Sequence, residues 1–131
     1  MAEEAGHGDD RRALGAAGES AAARYLVRLG YRIVEANVRC RIGEIDLIAI
    51  DAGVIVFVEV KSNRGDRFGA PEEMVTPAKQ RRLTRLAGWY LQRRCWLGRP
   101  ARFDVVAVDW QASGVGSVRH FRDAFPATGS W

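Results

Sequence analysis

The feature that most constrains this chain is an apolar hairpin with acids inside it. Residues 43–50 read GEIDLIAI and residues 54–61 read VIVFVEVK, joined through Asp51-Ala52-Gly53. Two β-branched runs around a short turn containing Gly predict a β-hairpin. Side chains alternate faces along a strand. Glu44, Asp46, Ile48 and Ile50 therefore share one face of the first strand, and Ile45, Leu47 and Ala49 the other. On the second strand Phe57, Glu59 and Lys61 share a face. With Ala52-Gly53 as a two-residue turn, Asp46 falls opposite Glu59 and Glu44 opposite Lys61. Opposed residues have Cβ atoms about 5 Å apart, and like charges there are destabilising. A shared divalent cation relieves that repulsion, because Mg2+ is held by one or two carboxylates and keeps waters. The competing account is a solvated pair on the open face of an antiparallel sheet, where polar alternation is normal. Opposed acids together with a lysine two residues beyond Glu59 favour the metal site. For Glu44 a salt bridge to Lys61 or a supporting role is the better reading.

The rest of the chain supplies a single domain around this hairpin. At 131 residues, 47% hydrophobic and 27% charged, the composition is ordinary for a globular protein and excludes disordered, collagenous and disulfide-scaffold classes. No apolar run approaches the roughly 20 residues of a membrane span. The polar start, MAEEAGHGDDRR, lacks the apolar core of a signal peptide. Cys40 and Cys95 have no CxxC or Cys/His spacing, which argues against zinc and for a reducing, cytoplasmic setting. Residues 1–12 read as a disordered tail, 13–125 as one domain and 126–131 as a second tail. From Gly18, Ala21, Ala22, Tyr25, Leu26 and Leu29 recur at helical spacing, and Gly30 stops them. Tyr31–Val38 reads as a strand. After the hairpin, SNRGDRFGAPEEMVT shows no period and reads as a long loop, a kind that is often functional. Thr76-Pro77 opens a helix, with Thr as N-cap and Pro in the first turn. Arg102–Trp110 reads as a buried strand, with a last short one at Ser117–Phe121. The order α-β-β-β-α-β predicts an α/β fold, a mixed sheet with flanking helices.

Charge narrows the partner class. The net charge is +4, and 18 of the 20 cations are Arg, leaving only Lys61 and Lys79 as lysines. The guanidinium fork suits phosphate, although an Arg-, Ala- and Gly-rich composition also follows from a GC-rich genome. Lys79 sits in the first turn of its helix, where the dipole disfavours a cation. A bound phosphate would resolve that conflict, and a surface lysine lying along apolar neighbours is the alternative.

Asp46, twelve intervening residues, then Glu59-Val60-Lys61 has the form of the D…(D/E)xK signature of restriction-endonuclease-like nucleases. The segments GESAAARYL, GYRIVEANVR, GEIDLIA, VFVEVK, FGAPEEMVTPAKQRRL and RFDVVAV resemble the YraN family of uncharacterised bacterial proteins, uncharacterised protein family 0102. That family is similar in fold to archaeal Holliday-junction resolvases. The resemblance implies a restriction-endonuclease-like core and a divalent-metal-dependent nuclease of the PD-(D/E)xK type. Asp46 and Glu59 would be ligands to Mg2+ or Mn2+, and Lys61 would activate the attacking water and steady charge on the phosphate. Glu19 matches the first-helix acid that completes the metal site in related nucleases. On its own, Glu19 is an acid near a helix start, which the dipole favours. Asn63 stands where a basic residue is frequent in relatives.

The expected substrate is nucleic acid, DNA in particular and branched DNA by analogy, gripped by Arg64, Arg67, Lys79, Arg81 and Arg82. A two-fold junction would call for a symmetric homodimer, and no membrane partner is expected. Two alternatives stand: a nucleic-acid-binding module without chemistry, and a protein-interaction subunit that docks through the basic helix. Asp104, a lone acid in a buried strand, reads as a hydrogen-bonded structural group. His7 and His120 offer no catalytic base, Cys40 reads as inert, and Trp89 and Trp96 fit either core or interface.

Overall fold

The computed structural model describes residues 2–64 and 71–129. Its centre is a five-stranded sheet in the order β1 (Arg32–Cys40), β2 (Gly43–Asp51), β3 (Val54–Arg64), β4 (Ala101–Trp110) and β5 (Gly116–Phe125). Neighbouring pairs are antiparallel except β3 and β4, which run parallel. A parallel pair needs a crossover. It passes through the short helix α2 (Pro71–Met74) and the longer α3 (Pro77–Arg93), while α1 (Ala2–Arg28) precedes the sheet. The architecture is α/β with a mixed sheet, as the sequence predicts, with a full-length fifth strand added.

Strand alternation sorts the core into two layers. Ile48, Ile55, Phe57, Phe103 and Val105 pack with Leu83, Leu86, Tyr90 and Leu91 of α3. Leu47, Ala49, Val56, Val58, Val106 and Val108 pack with Ala22 and Leu26 of α1. The face assignment breaks at one place. Ile45 joins Val38 in the α3 layer instead of following Leu47 and Ala49. The break coincides with Asn37 on the neighbouring strand, whose φ of 54° is left-handed; Asn tolerates that region better than most residues.

Three boundaries differ from the sequence reading. The helical backbone of α1 begins at Ala2, well before Gly18. β3 continues through Ser62 and Asn63 to Arg64, residues that read as loop, because β4 pairs with it as far as Arg64↔Trp110. Ser62 fits there through its hydroxyl, which donates to the Leu14 carbonyl and accepts from the Trp110 indole. β5 is ten residues long. The sequence shows it only as Ser117–Phe121, because the register is irregular opposite Phe103/Val105 and breaks the pattern beyond Phe121. Among the described residues no helix is long and apolar enough to cross a membrane.

Asp104 ties β4, β5 and the start of β1 together. Fully buried, its carboxylate accepts from Tyr31 Oη (2.9 Å), Arg102 Nε (2.9 Å) and the Asp123 N–H (3.0 Å), with His120 Nε2 at 2.8 Å. His120 is therefore partnered, and the structural reading of Asp104 holds. Burial works against the ionised acid, but the hydrogen bonds from His120, Arg102 and Asp123 outweigh it and hold the pKa at about 2. A depressed folded pKa stabilises above the unfolded value near 4 and ceases to as pH falls through 2. The group contributes on the order of 2 kcal/mol at neutral pH. Asp104→Asn should lower stability by about 3–5 kcal/mol at pH 7, because it leaves buried donors without their charge. Urea titrations at pH 7 and pH 2.5 check this; the deficit should shrink at the lower pH.

Candidate metal and phosphate site

Three elements meet at the end of the hairpin on the α3 side. β2 brings Asp46, β3 brings Glu59 and Lys61, and the first turn of α3 brings Lys79. A cavity of about 200 Å³ lies among Gly43, Glu44, Asp46, Glu59, Lys79, Arg82, Leu83 and Leu86. The β2–β3 pairing runs from Asp51↔Val54 to Leu47↔Val58, the register that a two-residue turn predicts. One step further the strands part. There the Val60 N–H donates to Asp46 Oδ2 at 2.8 Å, so the side chain takes over where the ladder ends. Asp46 and Glu59 thus face one cavity from adjacent strands.

Glu59 is only 5% exposed, and both lysines of the chain attend it. Lys79 Nζ lies 2.6 Å and Lys61 Nζ 3.3 Å from its Oε2. The Lys79 main-chain N–H meanwhile donates to the Thr76 N-cap oxygen at 3.3 Å. Glu59 therefore already resolves the conflict between Lys79 and the helix dipole, which the sequence left to a phosphate or to apolar neighbours. Burial opposes a charged Lys79, but attraction to Glu59 prevails and its pKa is raised. Lys61 is shifted down, chiefly by burial and then by its neighbour Lys79, against the pull of Glu59.

Asp46 has the opposite experience. Burial, then the negative charge of Glu59, pushes its pKa up to about 7, with Glu19 adding to the rise and the Val60 N–H opposing it. Among the described residues no donor meets its second oxygen. A half-buried carboxylate with an unused oxygen, facing a second carboxylate across a cavity, fits a hard divalent cation. Two carboxylates with water and phosphate oxygens suffice for Mg2+. Among the described residues no three His, Cys, Asp or Glu side chains converge on one point.

Glu19, the expected third ligand, is near enough for its charge to act on Asp46. Asn37 Nδ2 donates to Glu19 Oε1 at 2.8 Å and to Glu44 Oε2 at 3.2 Å. Glu44 pairs with Arg39 at 3.4 Å, not with Lys61, which Glu59 holds. Asn37 is the residue that sequence reasoning missed. Its signal was a polar residue breaking a strand just before Val38, and its left-handed backbone turns the amide towards both acids. Of the expected phosphate contacts, Arg82 lines the cavity and Arg81 is exposed on α3. Arg64 is exposed at the end of β3, beside Trp110, and Arg67 lies outside the described residues.

Comparison with known proteins places the chain among relatives without a stated activity. The profile of "Uncharacterised protein family UPF0102" matches residues 18–108. A UPF0102 protein of Symbiobacterium thermophilum is 56% identical over 116 residues, covering 88% of this chain and 98% of that one. UPF0102 proteins of Geotalea uraniireducens and Syntrophus aciditrophicus are 46% and 50% identical, covering 88% and 85% of this chain and 91% and 87% of theirs.

The raised pKa of Asp46 has a stability consequence of definite sign. A carboxyl whose folded pKa lies above its unfolded one favours the native state when protonated, and costs stability as pH rises from about 4 through 7. Asp46→Asn removes that cost while keeping an acceptor for Val60. The variant should melt higher than wild type at pH 8, on the order of 5 °C, and equal to it at pH 4. Calorimetry at the two pH values, with chelator present, checks this; a lower Tm at pH 8 would mean that the ionised form is favoured.

Proposed function

The chain belongs to uncharacterised protein family UPF0102, and from its own site we propose that it is a divalent-metal-dependent nuclease hydrolysing DNA phosphodiesters, with branched structures as the preferred substrate. The observation that carries the reading is the cavity where Asp46 and Glu59 oppose each other with Lys61 and Lys79 alongside. Asp46 and Glu59 would hold Mg2+ or Mn2+. Such a cation polarises a phosphoryl oxygen and lowers the pKa of a bound water.

The residues of the chain supply the remaining functions. Lys61, beside Glu59 and shifted towards its neutral form by burial, would hold an attacking water or give positive charge to the phosphate oxygens. Arg82 at the cavity rim offers the two-pronged donor that fits a phosphate. α3 contributes five cations and no acid between Pro77 and Arg93, so a polyanion lying along it meets only attraction. Asn37 holds Glu19 and Glu44 on one amide, and Glu19 adds to the negative field that Glu59 chiefly exerts on Asp46.

A second reading has one observation in its favour. Glu59 is already neutralised by two ammonium groups, the arrangement expected of a binding module whose centre is inert. Metal titration separates the two. In the nuclease reading, Mn2+ raises the Tm of wild type and of Lys79→Met, more strongly for the latter because Glu59 loses a competing cation, and leaves Asp46→Asn unmoved.

Cleavage of linear, flapped and four-way DNAs with Mn2+ tests the activity itself. Asp46→Asn and Glu59→Gln should abolish cleavage while DNA binding is kept or tightened. Lys61→Ala should retain metal binding and slow cleavage about 10²-fold or more, as the loss of one transition-state contact does. Neutralising Arg64 and Arg67 together should reduce the slope of log K against log salt by up to about 2. Variants that cleave like wild type would assign the activity to a contaminant, and wild type that binds without cleaving would establish the binding module.

A further inference from the structure

A second cavity lies past the end of β3, on the α1 side of the sheet. It holds about 390 Å³ and is lined by Arg64, Trp110, Gln111 and Ala112. Trp110 ends β4 directly beside Arg64 in the parallel ladder. Its indole is fixed by a chain of hydrogen bonds: Nε1–H donates to Ser62 Oγ at 2.8 Å, and Ser62 Oγ donates to the Leu14 carbonyl at 2.7 Å. Gly116 packs against the same ring so closely that an added Cβ would stand 2.9 Å from its Cε3 and Cζ3 atoms. A larger residue at position 116 would push the ring out of place.

An aromatic plane held by its only donor and by close packing loses little freedom when a ligand stacks on it. Beside it stand a guanidinium, which takes phosphate, and a primary amide, which both donates and accepts at a planar edge. Indole, guanidinium and amide together match a nucleotide unit: a flat base, its hydrogen-bonding edge and its phosphate. Stacking on an aromatic needs a base free of its helix, which single strands and frayed or branched junctions provide. Lys61 lies three residues before Arg64 on β3, a separation of about 10 Å along the strand.

We propose that the Arg64–Trp110–Gln111 cavity is a subsite for one unpaired nucleobase, which stacks on Trp110 while Arg64 takes its phosphate. The inference rests on the reading that the chain takes nucleic acid, and assigns single-stranded or frayed segments as the class that binds here. A substrate engaged at both places bends around the end of β3, from the α3 side of the sheet to the α1 side.

The test uses the full chain in EDTA, so its outcome is independent of whether the metal centre cleaves. The probe is a short single-stranded deoxyoligonucleotide carrying one 2-aminopurine, with a fully paired duplex of the same sequence as the second arm. Wild type should quench the 2-aminopurine of the single strand on binding and leave that of the duplex unchanged. Trp110→Leu should abolish the quench and weaken binding by about 5- to 150-fold, the loss of one base–aromatic stack, while Trp110→Phe retains most of both. Gly116→Ala should weaken the quench although every tryptophan remains. A 5-iodouracil probe crosslinked to wild type, mapped by peptide mass, gives a readout that needs no variant to fold, and the crosslink should fall on Trp110. A crosslink on Trp89 or Trp96, unaltered quenching in Trp110→Leu, or no quench with wild type at saturation would overturn the subsite. Wild type that cleaves DNA with Mn2+ yet shows no quench would overturn this inference alone. A quench mapped to Trp110 in a chain that never cleaves would sustain the subsite and reject only the nuclease.

Discussion

The hydrogen bond from Val60 N–H to Asp46 is the contact on which the candidate site depends. Up to Leu47↔Val58 the hairpin is held by its ladder and by two layers of apolar side chains. Beyond that pair the strands need to separate for a cavity to exist, and separation leaves a main-chain donor to be satisfied. Asp46 satisfies it with one oxygen while lining the cavity. The bond therefore does two things: it ends the pairing without an orphaned donor, and it aims a carboxylate. Glu59 then faces inward through the ordinary alternation of β3, and α3 closes over both because Thr76 and Pro77 start it where Lys79 reaches Glu59.

Two aspartates in the same sheet show how surroundings compensate one buried carboxyl and leave another short of partners. Asp104 is the more buried, yet hydrogen bonds from His120, Arg102 and the Asp123 N–H hold its pKa near 2. Asp46 has one N–H and two acidic neighbours, and its pKa rises to about 7. Burial acts in the same direction on both, so the partners decide the outcome. Asp104 brings its own counter-charge in Arg102 and needs nothing further. Asp46 is kept short of compensation, a condition that costs stability and that a cation would relieve in the nuclease reading proposed above.

Much of this was legible in the sequence, and for identifiable reasons. The hairpin register follows from a turn of fixed length, so the pairing as far as Leu47↔Val58 could be read directly, and one step beyond it Asp46 and Glu59 line one cavity without pairing. The α3 cap follows from Thr76-Pro77. What could not be read was the choice among partners at equal sequence cost. Lys61 was adjacent to Glu44 and Glu59 alike, and only the parting of the strands gives it to Glu59. Lys79 reaches Glu59 across a crossover whose packing no local pattern reports. Asn37 needs a left-handed backbone to reach Glu19 and Glu44, and a strand-like sequence around it conceals that. The fifth strand is legible only as Ser117–Phe121, because its register breaks opposite Phe103/Val105 and the exposed Arg122 and Asp123 that follow look like a loop.

Charge balance explains how the four groups share the cavity at rest, and how the proposed nuclease would use them. Asp46 and Glu59 supply up to two negative charges, and Lys61 and Lys79 two positive ones, so the cavity at rest is close to neutral. Neutrality is what allows Glu59 to be almost wholly buried, because an isolated carboxylate there would be protonated or exposed instead. A dication held by the acids would compete with Lys79 for Glu59 and release its ammonium at the mouth of the cavity. That ammonium sits in the first turn of α3, whose dipole repels it and attracts anions. The position most favourable for a released Lys79 is therefore beside a phosphate at that helix end. The ion pair that makes the centre look inert in the absence of metal is the arrangement that would prepare it for a phosphodiester in its presence.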